Sequence, residues 1–268
     1  MKCNVLNKEF ETKEEMFKAL KANEGNIIAL KKASMKNSDP VIFTTLKTEA
    51  TKGVKDLDPD YVYPVINTNR YMDSHDDVHF DGIWNKTLQE QQGKLYYVLD
   101  HSLKVSDVVA WPKDVEASVM DIPWSAVGKD YPGTTQALVY KIPLSALKND
   151  FARKAIEESQ PVENSVRMQY VKITMAIDSK ESEYKANKQY YDSHVNEIAN
   201  KERATELGYF FGVEEAKIYK EGSMVLAGSN DATGMLNTKA TQFEEPPSTQ
   251  IKEPTIEEFK VLIKQLLK

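Results

Sequence analysis

Asn164-Ser165-Val166-Arg167-Met168-Gln169-Tyr170-Val171-Lys172-Ile173-Thr174-Met175-Ala176-Ile177 decides how the chain reads. Its Val, Ile, Thr and Tyr content, with partial alternation, predicts a long strand. The turn-like Pro161-Val162-Glu163-Asn164 before it places Ser165 at the mouth of that strand. A sheet fixes the backbone of such a serine, which suits a nucleophile. Position alone does not separate this from a serine with no chemistry. The chemical reading therefore depends on a base and an orienting acid supplied elsewhere.

The 268 residues, 41% hydrophobic and 28% charged, suffice for one large domain with appendages or two small ones. A net charge of -6 does not favour nucleic acid or an anionic membrane as a partner. Cys3 is the one cysteine, which excludes a disulfide framework and a cysteine-based zinc site and fits a reducing compartment. No apolar run approaches the roughly 18 residues that span a bilayer. The first residues lack the apolar core of a signal peptide.

Upstream of Ser165, residues 1–58 read as a helix-strand appendage. Thr12-Lys13-Glu14-Glu15 has the form of a capping box, Met16, Phe17 and Leu20 share a helical face, and Gly25 can end that helix. Ile27-Ile28-Ala29-Leu30 reads as a short strand, with Lys31, Lys32 and Lys36 on a solvated edge after it. Thr44 to Asp60 is a linker or extended loop. Residues 61–66 form a strand in which Pro64 suggests an edge or bulge. Asp81 can cap a helix carrying Ile83, Trp84 and Leu88 and ended by Gly93. Lys94 to Leu99 is a strand that delivers Asp100-His101-Ser102 at its end. Trp111-Pro112, Pro123-Trp124 and Tyr131-Pro132-Gly133 suit a loop bordering a cleft. A strand over residues 135–142 and a helix carrying Leu144, Leu147, Phe151, Ala155 and Ile156 lead back to Ser165.

Downstream, residues 179–208 switch to helical period and predict one long, mostly exposed helix inserted between strands. The strand pattern returns from Ala216 to Leu226 and contains Glu221. The core domain thus spans 59–236. Residues 237–268 read as a polar linker containing Pro246-Pro247, then a capping box at Thr255 and an amphipathic helix.

His75 and His79, with Asp73, Asp76, Asp77 and Asp81 around them, raise a metal hypothesis. Histidines four apart share a face of a helix, and carboxylates could complete a site. The stretch lacks helical apolar periodicity, so a polar loop is the competing reading, and no metal is assigned.

The order of these elements resembles the prohead maturation proteases of tailed phages, relatives of the herpesvirus assemblin protease. Met72-Asp73-Ser74-His75-Asp76-Asp77-Val78 looks like that family's Val-Asp-Ser-x-Gly-Asp-Val, and residues 80–88 are similar to its Pro-Gly-Ala-Phe-x-x-Ser/Thr-Leu. Val98-Leu99-Asp100-His101 is similar to the strand that ends in the catalytic histidine, and Asn164-Ser165-Val166 to Leu-Ser-Ile/Val at the nucleophile. Tyr219 to Val225 resembles Leu-x-Glu-Val-Ser-Leu-Val, with Asn230 where the family has Ala-Asn-Pro. The resemblance covers residues 61–235. The chain departs from it at Asp76, where Gly is common, in lacking Gly after Val166, and in its longer 179–208 insertion. Glu214 and Glu215 are alternative acids to Glu221.

The resemblance implies an α+β serine endopeptidase with a mainly antiparallel, barrel-like sheet flanked by helices. Ser165 would be the nucleophile, His101 the general base and Glu221 the residue that orients the imidazole. Arg167, on the same strand face as Ser165, would help hold an oxyanion or act as a structural ion-pair residue. No cofactor is implied. Scaffold and major capsid protein would be the substrates, and the protease itself would also be cleaved. The place would be the host cytoplasm inside the assembling prohead, with neither nucleic acid nor membrane as partner and a homo-oligomer left open. The rivals are a non-catalytic virion structural or scaffold protein that keeps the fold, and a metal-dependent hydrolase using His75 and His79.

Overall fold

A computed structural model of the chain describes residues 1–34, 54 and 57–236. It opens with a small hairpin, β1 (Lys2–Cys3) and β2 (Lys8–Glu9), then α1 (Lys13–Ala22) and α2 (Glu24–Ala33). The Thr12 side chain accepts from the Glu15 N–H at 3.2 Å, as the capping box predicts. α1 stops at Asn23, not at Gly25, and Ile27 to Leu30 lies within α2 rather than in a strand. Periodicity does not separate helix from strand over so short an apolar run. As a helix, the segment turns Ile27 and Lys31, four residues apart, inward together. Lys31 is therefore buried, 5% exposed, and not on a solvated edge.

The rest runs β3 (Tyr61–Thr68), β4 (Asp77–His79), α3 (Asn85–Gln91), β5 (Tyr96–Leu99), β6 (Val108–Ala110), β7 (Glu116–Pro123) and β8 (Thr134–Pro143). Then come α4 (Asp150–Glu157), β9 (Glu163–Ile177), α5 (Lys185–His194), α6 (Lys201–Leu207), β10 (Tyr209–Val225) and β11 (Gly234–Leu236). The predicted long strand is β9. Its partner β10 is longer than the Ala216–Leu226 expected, because Tyr209 to Val213 already pairs with Ile173 to Ile177. Two strands, β6 and β7, occupy what reads as a cleft-bordering loop. Asp81 does not cap α3, whose N-cap is Trp84; it pairs with Arg70 at 3.3 Å.

The architecture is α+β with mainly antiparallel pairing. β10 is the spine of a five-stranded sheet. β9 runs antiparallel along one edge, and β4 and β5 lie parallel to it at opposite ends of the other; β6 extends the sheet from β5. A second, antiparallel sheet has the order β11-β3-β8-β7. Among the described residues the strands do not close into a barrel. Ile66, Leu138 and Tyr140 of the second sheet share one apolar core with Tyr97, Val166, Met168 and Met224 of the first. Cys3, Phe10, Met16, Leu20 and Ile27 of the N-terminal unit belong to the same core. Full burial of side chains of this size contributes about 1.5–3 kcal/mol each.

The 179–208 insertion is not one exposed helix. It breaks at Val195–Glu197 between α5 and α6, and Asn187, Tyr191, Ile198 and Ala204 are buried. The Asn187 amide donates to the Met175 carbonyl at 2.9 Å, which seats α5 on β9. No helix among the described residues is long and apolar enough to cross a membrane. Lys36, most of the 44–60 linker, the 237–253 linker and the C-terminal amphipathic stretch lie outside the described residues.

Candidate active site

β5 brings a histidine to the face of β10 through a strained turn. Asp100 and His101 both adopt left-handed backbone, with φ of 46° and 56°. Non-glycine residues held there cost on the order of 1–3 kcal/mol each. Local bonds offset that. The Asp100 N–H donates to the Met224 carbonyl at 3.0 Å and the Ser102 N–H to the Leu99 carbonyl at 2.8 Å. The His101 N–H donates to Ser223 Oγ at 2.9 Å, and Arg167 Nη2 donates to the His101 carbonyl at 2.8 Å. Both backbone polar groups of His101 are thereby satisfied by side chains from β10 and β9.

The imidazole meets the predicted acid. His101 Nδ1 lies 2.8 Å from Glu221 Oε1. Glu221 is fully buried, Ser223 donates to its Oε2 at 2.8 Å, and Arg167 Nε sits 3.5 Å from Oε1. The register of β9 against β10 shifts between Ile218 and Gly222, and Lys220 has a φ of 65°. Such a bulge re-aims the side chain that follows it, here Glu221. The competing glutamates point elsewhere: Glu214 pairs with Lys172 at 2.7 Å and Glu215 with Lys86 at 3.1 Å.

Ser165 sits directly opposite Ser223 in the antiparallel register. Side chains of opposed residues share a face, with Cβ atoms about 4.5–5.5 Å apart. Ser165, Arg167, Glu221 and Ser223 thus lie on one face of the β9–β10 ribbon, with His101 folded over it. His101 Nε2 is buried and has no hydrogen-bond partner, so no bond joins it to Ser165 in this structure. With Nδ1 committed to a carboxylate, Nε2 is the nitrogen left to take a proton. Ser223 is fully buried and engaged on the acid side of the ring, whereas Ser165 is 8% exposed and borders a small cleft with Asn67, Asp73, His75 and Asn230. Of the two hydroxyls Ser165 is the one that reaches a cleft, and His101 is not among the residues that line it.

The Asp73–His79 stretch is the polar loop of the competing reading, not a helix, and as it turns into β4 it buries Asp73, Asp76, Asp77 and His79. Asp73 Oδ1 accepts from the N–H groups of His75, at 2.8 Å, and Asp77, at 3.0 Å. Asp76, with φ 62°, accepts from Arg203 and from the Tyr209 hydroxyl, each at 2.7 Å. Asp77 pairs with Lys31 and accepts from the Tyr170 hydroxyl at 2.9 Å. His79 uses both ring nitrogens, Nε2 toward Tyr170 Oη at 3.2 Å and Nδ1 toward Asn67 Oδ1 at 3.0 Å. The described residues contain no group of three or more His, Cys, Asp or Glu side chains that could hold a metal ion. The histidine pair sits on a turn and a strand, not on one helical face. Burial, reinforced by the charge of Asp77, pushes the Asp73 carboxyl up to about 8.

Two residues of this region escaped the sequence reading. Ser223 was legible, being two residues from Glu221 in a strand and so on its face. Lys31 was not, because its partner Asp77 is 46 residues away. Comparison with protein-family models, curated proteins and solved structures returns no match for the chain.

Proposed function

We propose that the chain is a serine endopeptidase with Ser165 as nucleophile, His101 as general base and Glu221 as orienting acid. The observation that carries the reading is the 2.8 Å His101–Glu221 hydrogen bond, with Nε2 left unpartnered and the His101 N–H bonded to Ser223, the cross-strand neighbour of Ser165. Nε2 would take the Ser165 proton as Oγ attacks a peptide carbonyl, then return it to the amine that leaves. Water would repeat the sequence on the acyl-enzyme to release the acid and restore the serine. Glu221 holds the ring with its proton on Nδ1 and stabilises the imidazolium. The Arg167 contacts to the His101 carbonyl and to Glu221 favour a supporting role over oxyanion binding; backbone N–H groups near Ser165 would serve as oxyanion donors.

The resemblance to prohead proteases supplies the biological reading: cleavage of scaffold and capsid protein, and of the protease itself, inside an immature capsid. The barrel-like, assemblin-type arrangement belongs to the same proposal. The missing Ser165–His101 hydrogen bond favours the non-catalytic virion protein as a second reading, although such bonds often tighten only with substrate bound.

One experiment decides between them. The wild type and Ser165→Ala are each co-expressed with scaffold and major capsid protein and probed with a fluorophosphonate. Processing and labelling by the wild type alone are expected. Processing that survives in Ser165→Ala, or a wild type that neither cleaves nor labels, overturns the protease reading.

A further inference from the structure

The residue that ties the site together is one that the triad description omits. We propose that Ser223 is a positioning residue, whose single hydroxyl fixes both the acid and the backbone of the base. The inference rests on the protease reading given above.

The direction of its bonds follows from donor inventory. A serine hydroxyl has one proton to give and lone pairs to receive. The His101 backbone N–H can only donate, so at 2.9 Å it donates to Ser223 Oγ. The hydroxyl proton is then free for Glu221 Oε2, 2.8 Å away. The carboxylate is thereby held by Ser223 at one oxygen and presents the other to His101 Nδ1 at 2.8 Å. The same hydroxyl pins a residue whose φ of 56° lies in the left-handed region that non-glycine residues seldom occupy. Ser223 is fully buried, so its hydroxyl is shielded from competing solvent. It is also the cross-strand partner of Ser165, so acid, base and nucleophile strand all reference one side chain.

A merely structural serine would affect folding and leave the geometry of the ring unchanged. The test therefore reads the ring. The full chain with 15N-labelled histidine, in a Ser165→Ala background that prevents self-cleavage, is examined for the low-field Nδ1–H proton of His101, assigned by its loss in His101→Asn. Adding Ser223→Ala is expected to shift that resonance by at least several tenths of a ppm or broaden it away, and Ser223→Thr to restore it. In the active chain, Ser223→Ala should lower kcat about 10- to 100-fold with KM little changed, the effect of losing one buried hydrogen bond to a charged group. Ser223→Cys, which keeps the volume and donates weakly, carries the same readings if the alanine variant does not fold. An unmoved Nδ1–H proton overturns the proposal whether or not the chain is a protease. A moved proton in a chain that never labels with fluorophosphonate retains the positioning role and rejects the protease.

Discussion

Gly222 lies between the acid and its hydroxyl neighbour, and its lack of a side chain lets β10 pass under the second sheet. A Cβ there would stand 2.9 Å from Tyr140 Cε2 and 3.0 Å from Ile66 Cδ1 and Cγ2, all within the fully packed core. Both neighbours are buried, Tyr140 at 0% and Ile66 at 1% exposed, so making room disturbs packed side chains. Gly222→Ala is expected to destabilise the chain by about 1–3 kcal/mol, as overpacking of a dense core does. The measurement is the urea midpoint, and an unchanged midpoint would show that the two sheets part more easily than this packing suggests. At this scale the sequence is most informative about residues whose chemistry depends on strand position. Ser165, His101 and Glu221 sit at strand ends or on alternating faces, and the period of two carries such information directly. Gly222 was hidden because its requirement comes from Tyr140, on another sheet.

The elements show where local pattern gives out. β5, β8 and β9 were readable because each is rich in aromatic or β-branched residues and bounded by turn residues. β6 and β7 were missed because Pro and Trp punctuate them and only pairing with β5 and β8 makes them strands. α2 was misread as a strand, and that error concealed its function in the fold. α2 carries Lys31 into contact with Asp77 on β4, beneath the ring of Phe211 at 4.4 Å, and Lys31 also donates to the His75 carbonyl at 3.1 Å. Both members of the ion pair are shielded from water, with side chains 6% and 0% exposed. Removing one partner of such a pair strands a buried charge, at about 3–5 kcal/mol. Lys31→Met should therefore lower stability by that amount, and Lys31→Met with Asp77→Asn should recover most of it. Denaturant titration of the two single variants and the double variant completes the cycle. Additive losses would mean that α2 is held by its apolar face alone.

For the molecule as a whole, the buried turn beside the candidate site makes stability depend on pH through Asp73. Its carboxyl rises in the folded chain from an ordinary 3.8 to about 8, first through burial and then through the charge of Asp77. The folded state therefore keeps a proton that the unfolded state has already lost between those values. By linkage, the contribution is fully present below about pH 3.8 and is lost as pH rises toward 8. This is opposite to the usual behaviour of paired carboxylates, which stabilise as they ionise. Asp73→Asn preserves the Oδ1 acceptor that closes the turn to the N–H groups of His75 and Asp77, but has no proton to lose. Every other titrating group is common to the two chains, so their difference reports Asp73 together with its electrostatic coupling to Asp77 and Lys31. Unfolding free energies from urea titrations across this range should show the variant gaining on the wild type steadily up to pH 8 and no further beyond it. Two parallel curves would mean that Asp73 is already ionised in the folded chain and that Lys31 offsets the charges of Asp73 and Asp77 together.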